Sequence, residues 1–212
     1  LIQNNEITTT MDGRNGPFGV LLNQTGGGTV IRDNDILGHF FDGIGGAENR
    51  EIDGGPYHDS YMYRNNIVGS HDDGIEIEGG GINIAVWGNT IRDCWKMGIA
   101  VAPVIVGPAY LFRNTYYSSS SYLCGVKTGT SSYGHIYFYH NTFHLGGLEN
   151  VIGSYGTDVV ASNMIFRNNV LQTSRKYVVE ESSGGTGTWD FDYNSMYSPY
   201  SDPIKWQGEI IT

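Results

Sequence analysis

Asparagine recurs in this chain in one setting, apolar-x-x-Asn-x-apolar, at Asn5, Asn34, Asn65, Asn89, Asn114, Asn141, Asn168 and Asn194. The intervals run from 24 to 31 residues and average 27. Three residues before each Asn stand Ile2, Ile31, Met62, Val86, Leu111, Phe138, Ile165 and Phe191. Two residues after stand Ile7, Ile36, Ile67, Ile91, Tyr116, Phe143, Val170 and Met196. A second marker runs in phase, glycine followed by an apolar residue at Gly43-Ile44, Gly74-Ile75, Gly98-Ile99 and Gly125-Val126. Segments such as Gly74-Ile75-Glu76-Ile77-Glu78 alternate with period two, the pattern of a strand.

Short strands and tight turns at a near-constant period, with no helical period, specify a solenoid of stacked parallel strands. One coil cannot bury its inward residues, but a stack buries them in continuous columns. Eight coils at the ~4.8 Å spacing of paired strands make a rod roughly 35 Å long. The Asn column is expected to turn the chain at one corner, its amides bonding up and down the stack. With 31 Gly in 212 residues, a helical bundle is disfavoured as well.

The repeat resembles the right-handed parallel β-helix of the pectate-lyase-like superfamily, which implies an all-β fold over residues 1–212. That fold hosts lyases, hydrolases and non-catalytic tailspikes and adhesins, so activity must be argued from a site. Leu1-Ile2 already reads as an inward strand and Ile210-Ile211 as the start of another. The chain is therefore expected to be part of a longer rod, extracellular, periplasmic or on a cell surface. Its formal net charge of -10 argues against a nucleic-acid partner, and no apolar run reaches the length of a membrane span. Loops are expected at Gly45–Tyr61, Pro103–Pro108, Ser118–Gly134, Gly146–Ser162 and Thr173–Thr188.

Stacking the coils on the in-phase glycines predicts where acids gather. With Ile75 and Ile77 inward, Asp72, Glu76 and Glu78 face outward, and Asp42 aligns with Asp73. Gly45, Ala47, Ala100 and Ala102 form a bare floor beside this island, leaving room for a ligand. Lys96 and Lys127 lie one and two coils further on. The bland reading is a charged face that keeps the rod soluble.

The segment His71-Asp72-Asp73-Gly74-Ile75-Glu76 resembles the Asp-Asp-Gly-x-Asp segment of a β-helical pectate lyase family that holds calcium and uses a lysine base. The resemblance implies Asp72, Asp73 and Glu76 as Ca²⁺ ligands, with Asp42 from the coil below. Glu76 departs from that family, which has Asp there. Several oxygen donors suit this ion. The implied chemistry is β-elimination on an acidic, uronate-containing polysaccharide. The cation neutralises the sugar carboxylate, and Lys127 or Lys96, or else His71, takes the adjacent proton. The hydrolytic alternative rests on Glu76 and Glu78, which strand geometry places ~6.6 Å apart, at the edge of the inverting range.

Two further columns flank the repeat Asn. Two residues before it, outward positions carry Tyr63, Trp87, Phe112, Tyr139 and Phe166. This stripe is either a sugar-stacking platform centred on Tyr63 and Trp87 or a bed covered by loops. One residue before it stand Arg64, Arg113, His140 and Arg167, expected to pair with acids such as Glu149, Asp158 or Glu180 or to hold an anionic glycan. Cys94 and Cys124 lie out of phase and are expected to be buried free thiols. The rival to the enzyme reading is a non-catalytic glycan-binding or structural β-helix.

Overall fold

The computed structural model describes the 212-residue chain except residues 12–15, 120–122, 130–131, 148–149, 155–162, 175–176, 182–187, 207–208 and 212, and the side chains of 210–211. It is an all-β solenoid with no helix among the described residues, hence none long and apolar enough to cross a membrane. Two parallel sheets of eight strands run its length, and a third sheet has nine. The eight levels make about seven turns from the first rung to the last. In the third sheet the last strand, Glu209–Ile211, is antiparallel to Ile204–Trp206.

Each rung contributes one short strand to each sheet. One rung reads Ile84–Trp87 in the first sheet, Thr90–Arg92 in the second and Met97–Ala100 in the third. Register holds rung to rung: Val86 pairs with Met62 and Leu111, Ile91 with Ile67 and Tyr116, and Ile99 with Ile75 and Val126. These residues form three inward columns, fully buried. Burying side chains of this size contributes about 1.5–3 kcal/mol each.

The corner between the first two sheets is built as its sequence requires. The residue before each ladder Asn adopts a left-handed backbone, at Asn4, Asp33, Arg64, Gly88, Arg113, His140, Asn168 and Tyr193. The next residue, Asn, then bonds along the stack. Asn114 accepts at Oδ1 from the backbone N–H of Asn89 (3.1 Å) and from its side-chain amide (3.0 Å). It donates from Nδ2 to the carbonyl of Val86 (2.9 Å) and to Oδ1 of Asn141 (3.1 Å).

The ladder corrects the repeat at one coil. Its member there is Asn169, which accepts from Asn141 and donates to Asn194, while Asn168 takes the left-handed corner. The register of that coil therefore shifts by one. Phe166 and Leu171 point into the core, and Val170 is 46% exposed. Phe166 leaves the outward stripe to stack between Phe138 and Phe191. Arg167 takes its place on the strand, facing Tyr139 of the rung below.

The expected loop Ser118–Gly134 contains the third-sheet rung Cys124–Thr128, and two further expected loops contain the rungs Asn150–Ser154 and Val179–Glu181. The inward pairs of the latter two are led by Val151 and Val178 where earlier coils have Gly, so the marker vanishes while the register continues. The glycines of the marker are there for space. A Cβ on Gly98 would come within 2.7 Å of the Tyr116 ring.

Candidate functional site

The third sheet gathers the acids. Its Ile44–Ala47, Asp73–Glu76, Met97–Ala100 and Cys124–Thr128 strands lie side by side, with Glu76 beside Ala100 and Ala100 beside Lys127. Asp42 reaches up from the coil below, and its Oδ1 accepts the N–H of Asp73 at 2.9 Å. Two sets of carboxylates result, Asp42–Asp72–Asp73 and Asp73–Glu76–Glu78. Within each set one oxygen per residue lies within 4.8 Å of the others.

Five carboxylates thus converge on two ammonium groups. Lys96 Nζ lies 2.7 Å from Asp72 Oδ2, and Lys127 Nζ lies 2.6 Å from Glu78 Oε1 and 3.7 Å from Asp73 Oδ2. Ala100, on the rung between, presents only a methyl, so the Lys127 arm can cross it to reach the acids. Asp42, Asp73, Glu76 and Glu78 are all buried, and only Asp72, Lys96 and Lys127 reach solvent.

The acids face outward as the strand period requires, but the floor beside them is covered by the chain itself. Residues 48–55 fold over the glycines, and a Cβ on Gly46 would stand 2.8 Å from the Gly55 Cα. Gly46 therefore makes room for this strap, whereas Gly45 makes room for the Asp42 side chain, which a Cβ there would strike. From it Asn49 Nδ2 donates to Glu76 Oε2 (3.3 Å) and Glu78 Oε2 (3.0 Å). The N–H of Gly46 donates to Glu76 Oε1 (3.1 Å) and that of Ala102 to Glu78 Oε1 (3.3 Å). Nothing in the repeat announces Asn49, because an insertion is free of the period that aligns the strands.

Burial sets the charge state of the cluster. It pushes the Asp42 carboxyl up to about 9, helped by the neighbouring Asp73 charge. Burial also raises Glu76 and Glu78 to about 7 each, Lys127 opposing in both cases. Asp73 is raised well above the carboxylate range for the same first reason. Burial works against the Lys127 ammonium, but Asp73 and Glu78 outweigh it and the group is held charged. Asp73 Oδ1 is buried with no hydrogen-bond partner. An unmatched oxygen beside Asp42 and Asp72 is what a cation site requires, and hard oxygen donors fit a divalent ion such as Ca²⁺.

The remaining expected site residues divide between two faces. His71 lies at the rim of the cluster, stacked on Trp95 at 4.5 Å; Trp95, 40% exposed, was not foreseen as a site residue. Tyr63, Trp87, Arg64 and Arg113 belong to the first sheet and its corner, away from the acids of the third sheet. Tyr63 and Trp87 stack at 4.1 Å with planes 11° apart, and Trp87 stacks on Phe112 at 5.5 Å. Because neighbouring rungs are ~4.8 Å apart, these rings are stacked along the rod with their faces against each other and their edges outward. The outer face of Tyr63 meets the Arg64 guanidinium at 5.0 Å. The stripe is a self-covered stack, with little ring face left for a sugar.

The basic column pairs only in part. Arg64 binds Asp33, and Arg167 binds Asp190 from its strand position. Arg113 forms no ion pair among the described residues. Glu180 pairs with Lys205, while Glu149 and Asp158 lie outside the described residues. Cys94 and Cys124 are buried free thiols, and burial drives Cys94 up to about 12.

No protein-family model, no curated protein and no solved structure matches this chain.

Proposed function

We propose that this chain is a carbohydrate-active β-solenoid that cleaves an acidic, uronate-containing polysaccharide by cation-assisted β-elimination on the outer face of its third sheet. The observation that carries the reading is the unpartnered Asp73 Oδ1 within five carboxylates that face two lysines among the described residues. A divalent cation held by Asp42, Asp72 and Asp73, with Glu76 adjoining, would neutralise the sugar carboxylate and acidify the neighbouring C–H. Lys127 is engaged as an ammonium by Glu78 and Asp73. Lys96 is paired too, but with Asp72 alone at the solvent-facing rim, where a cation would draw Asp72 away, so proton removal falls to Lys96 or to His71 beside it. Glu76 and Glu78 converge to within 4.8 Å and share the Asn49 amide, which fills the gap where an inverting hydrolase needs its water.

The depth of the cluster supports a second reading, a structural cation site in a solenoid that binds glycans without cutting them. One assay separates the two. Pectate, alginate and glycosaminoglycans are incubated with the protein, with and without Ca²⁺, and unsaturated products are followed by absorbance. The enzyme reading expects Ca²⁺-dependent signal on at least one polymer, lost about 100-fold or more in Asp73→Asn and in Lys96→Met if Lys96 is the base. No signal and no new reducing ends on any polymer would leave the structural reading.

A further inference from the structure

The two carboxylate sets share Asp73, yet they are not equivalent. In the set Asp73–Glu76–Glu78 a cationic group is already in place: the Lys127 ammonium, 2.6 Å from Glu78 Oε1 and 3.7 Å from Asp73 Oδ2. The other oxygens of the two glutamates are committed to the Gly46 N–H and the Asn49 amide, and Glu78 Oε1 also accepts the Ala102 N–H. In the set Asp42–Asp72–Asp73 no ammonium among the described residues lies within ion-pair distance of Asp42 or hydrogen-bonds to Asp73 Oδ1. Lys96 holds Asp72 Oδ2 from the solvent side, and Asp73 Oδ1 stays unpartnered and buried.

We infer that the cluster contains two adjacent cation positions, one for a divalent ion at Asp42–Asp72–Asp73 and one at Asp73–Glu76–Glu78 that Lys127 occupies as a resident cation. The first position rests on the function proposed above; the second stands on the Lys127 contacts alone. Lys127 thereby limits the cluster to one divalent ion. A second ion brought close to the first would need another like-sized charge balance, which three carboxylates without an ammonium supply. The role assigned to Lys127 is thus to hold the charge of the acids, and proton transfer is left to the rim.

The test is stoichiometry, read by calorimetric titration with Ca²⁺ and by elemental analysis after desalting, on wild type and on Lys127→Met. The methionine keeps the apolar stem that crosses Ala100 and removes the charge. Wild type is expected to take one ion per chain and Lys127→Met two, with the variant losing thermal stability in chelator and regaining it with Ca²⁺. A folded Lys127→Met that takes no more ions than wild type overturns the inference. Should wild type take none and the variant one, the divalent position of the proposed function fails while the Lys127 position stands. If Lys127→Met cannot be purified in either condition, the double variant Lys127→Met, Glu78→Gln removes the pair together. It should fold and match the wild-type ion count, and an extra ion in it would overturn the second position.

Discussion

Replacing Asn114 with alanine is expected to destabilise the solenoid by about 4 kcal/mol, since each buried polar group left without a partner costs about 1–3 kcal/mol. Asn114 is 1% exposed and sits in the middle of the ladder. Without its Oδ1, the Asn89 N–H is buried with no acceptor, and the Asn89 amide keeps only the Met62 carbonyl. Without its Nδ2, Val86 and Asn141 each lose a donor. Asn114→Asp keeps the shape but places an acceptor against two acceptors, and should cost at least as much. Asn5 supplies the control, because it is exposed and its Oδ1 receives nothing from the described residues. Asn5→Ala should cost less than about 1 kcal/mol. Equilibrium urea unfolding followed by circular dichroism measures all three. A loss in Asn114→Ala no larger than in Asn5→Ala would show that the ladder is incidental to the fold.

The repeat was legible because stacking forces one residue type to serve one geometric role at every level. A left-handed corner followed by an amide that bonds to the next coil admits few substitutes, so Asn recurs and the core columns can be counted from it. Legibility failed where two registers satisfied the same pattern. Asn168 and Asn169 both have apolar neighbours at the required offsets, and only the pairing of Phe138 with Phe166 and of Phe143 with Leu171 decides between them. The acids followed from the same register: Lys96 on Asp72 and Lys127 on Glu78 are stacking contacts one and two rungs apart. Their depth did not follow. Strand period gives the direction of Glu76 and Glu78 but not what lies above them, and Asn49 belongs to an insertion that obeys no period. The aromatic column was found by position, whereas the turning of its rings against each other is a packing outcome that position does not encode.

In the absence of divalent ions, stability should fall as pH rises from about 5 to about 9, by an amount on the order of 10 kcal/mol, taking ~1.4 kcal/mol for each pH unit over which a folded carboxyl stays protonated and its unfolded counterpart does not. The cause is the protons that burial retains on Asp42 (about 9), Glu76 (about 7) and Glu78 (about 7). Unfolded carboxylates release theirs near pH ~4. Between those limits the folded chain binds more protons than the unfolded one, so each step up in pH favours unfolding. The contribution is fully present below pH ~4 and is lost as pH passes through 7 and approaches 9. A divalent ion acts in the opposite sense, because it needs the ionised ligands and displaces their protons. Added Ca²⁺ should therefore do little at pH 5 and raise the melting temperature strongly at pH 8 to 9, with proton release detectable in weak buffer. Asp73→Asn removes the oxygen that lacks a partner, and should flatten the pH dependence and abolish most of the Ca²⁺ response. A wild-type protein whose stability is level or rising from pH 5 to 9, and which ignores Ca²⁺ at pH 8, would mean that the acids keep their charges through the network of Lys127, Asn49 and the backbone N–H groups. The cluster would then be a self-sufficient salt-bridged patch, and a cation would have no place in it.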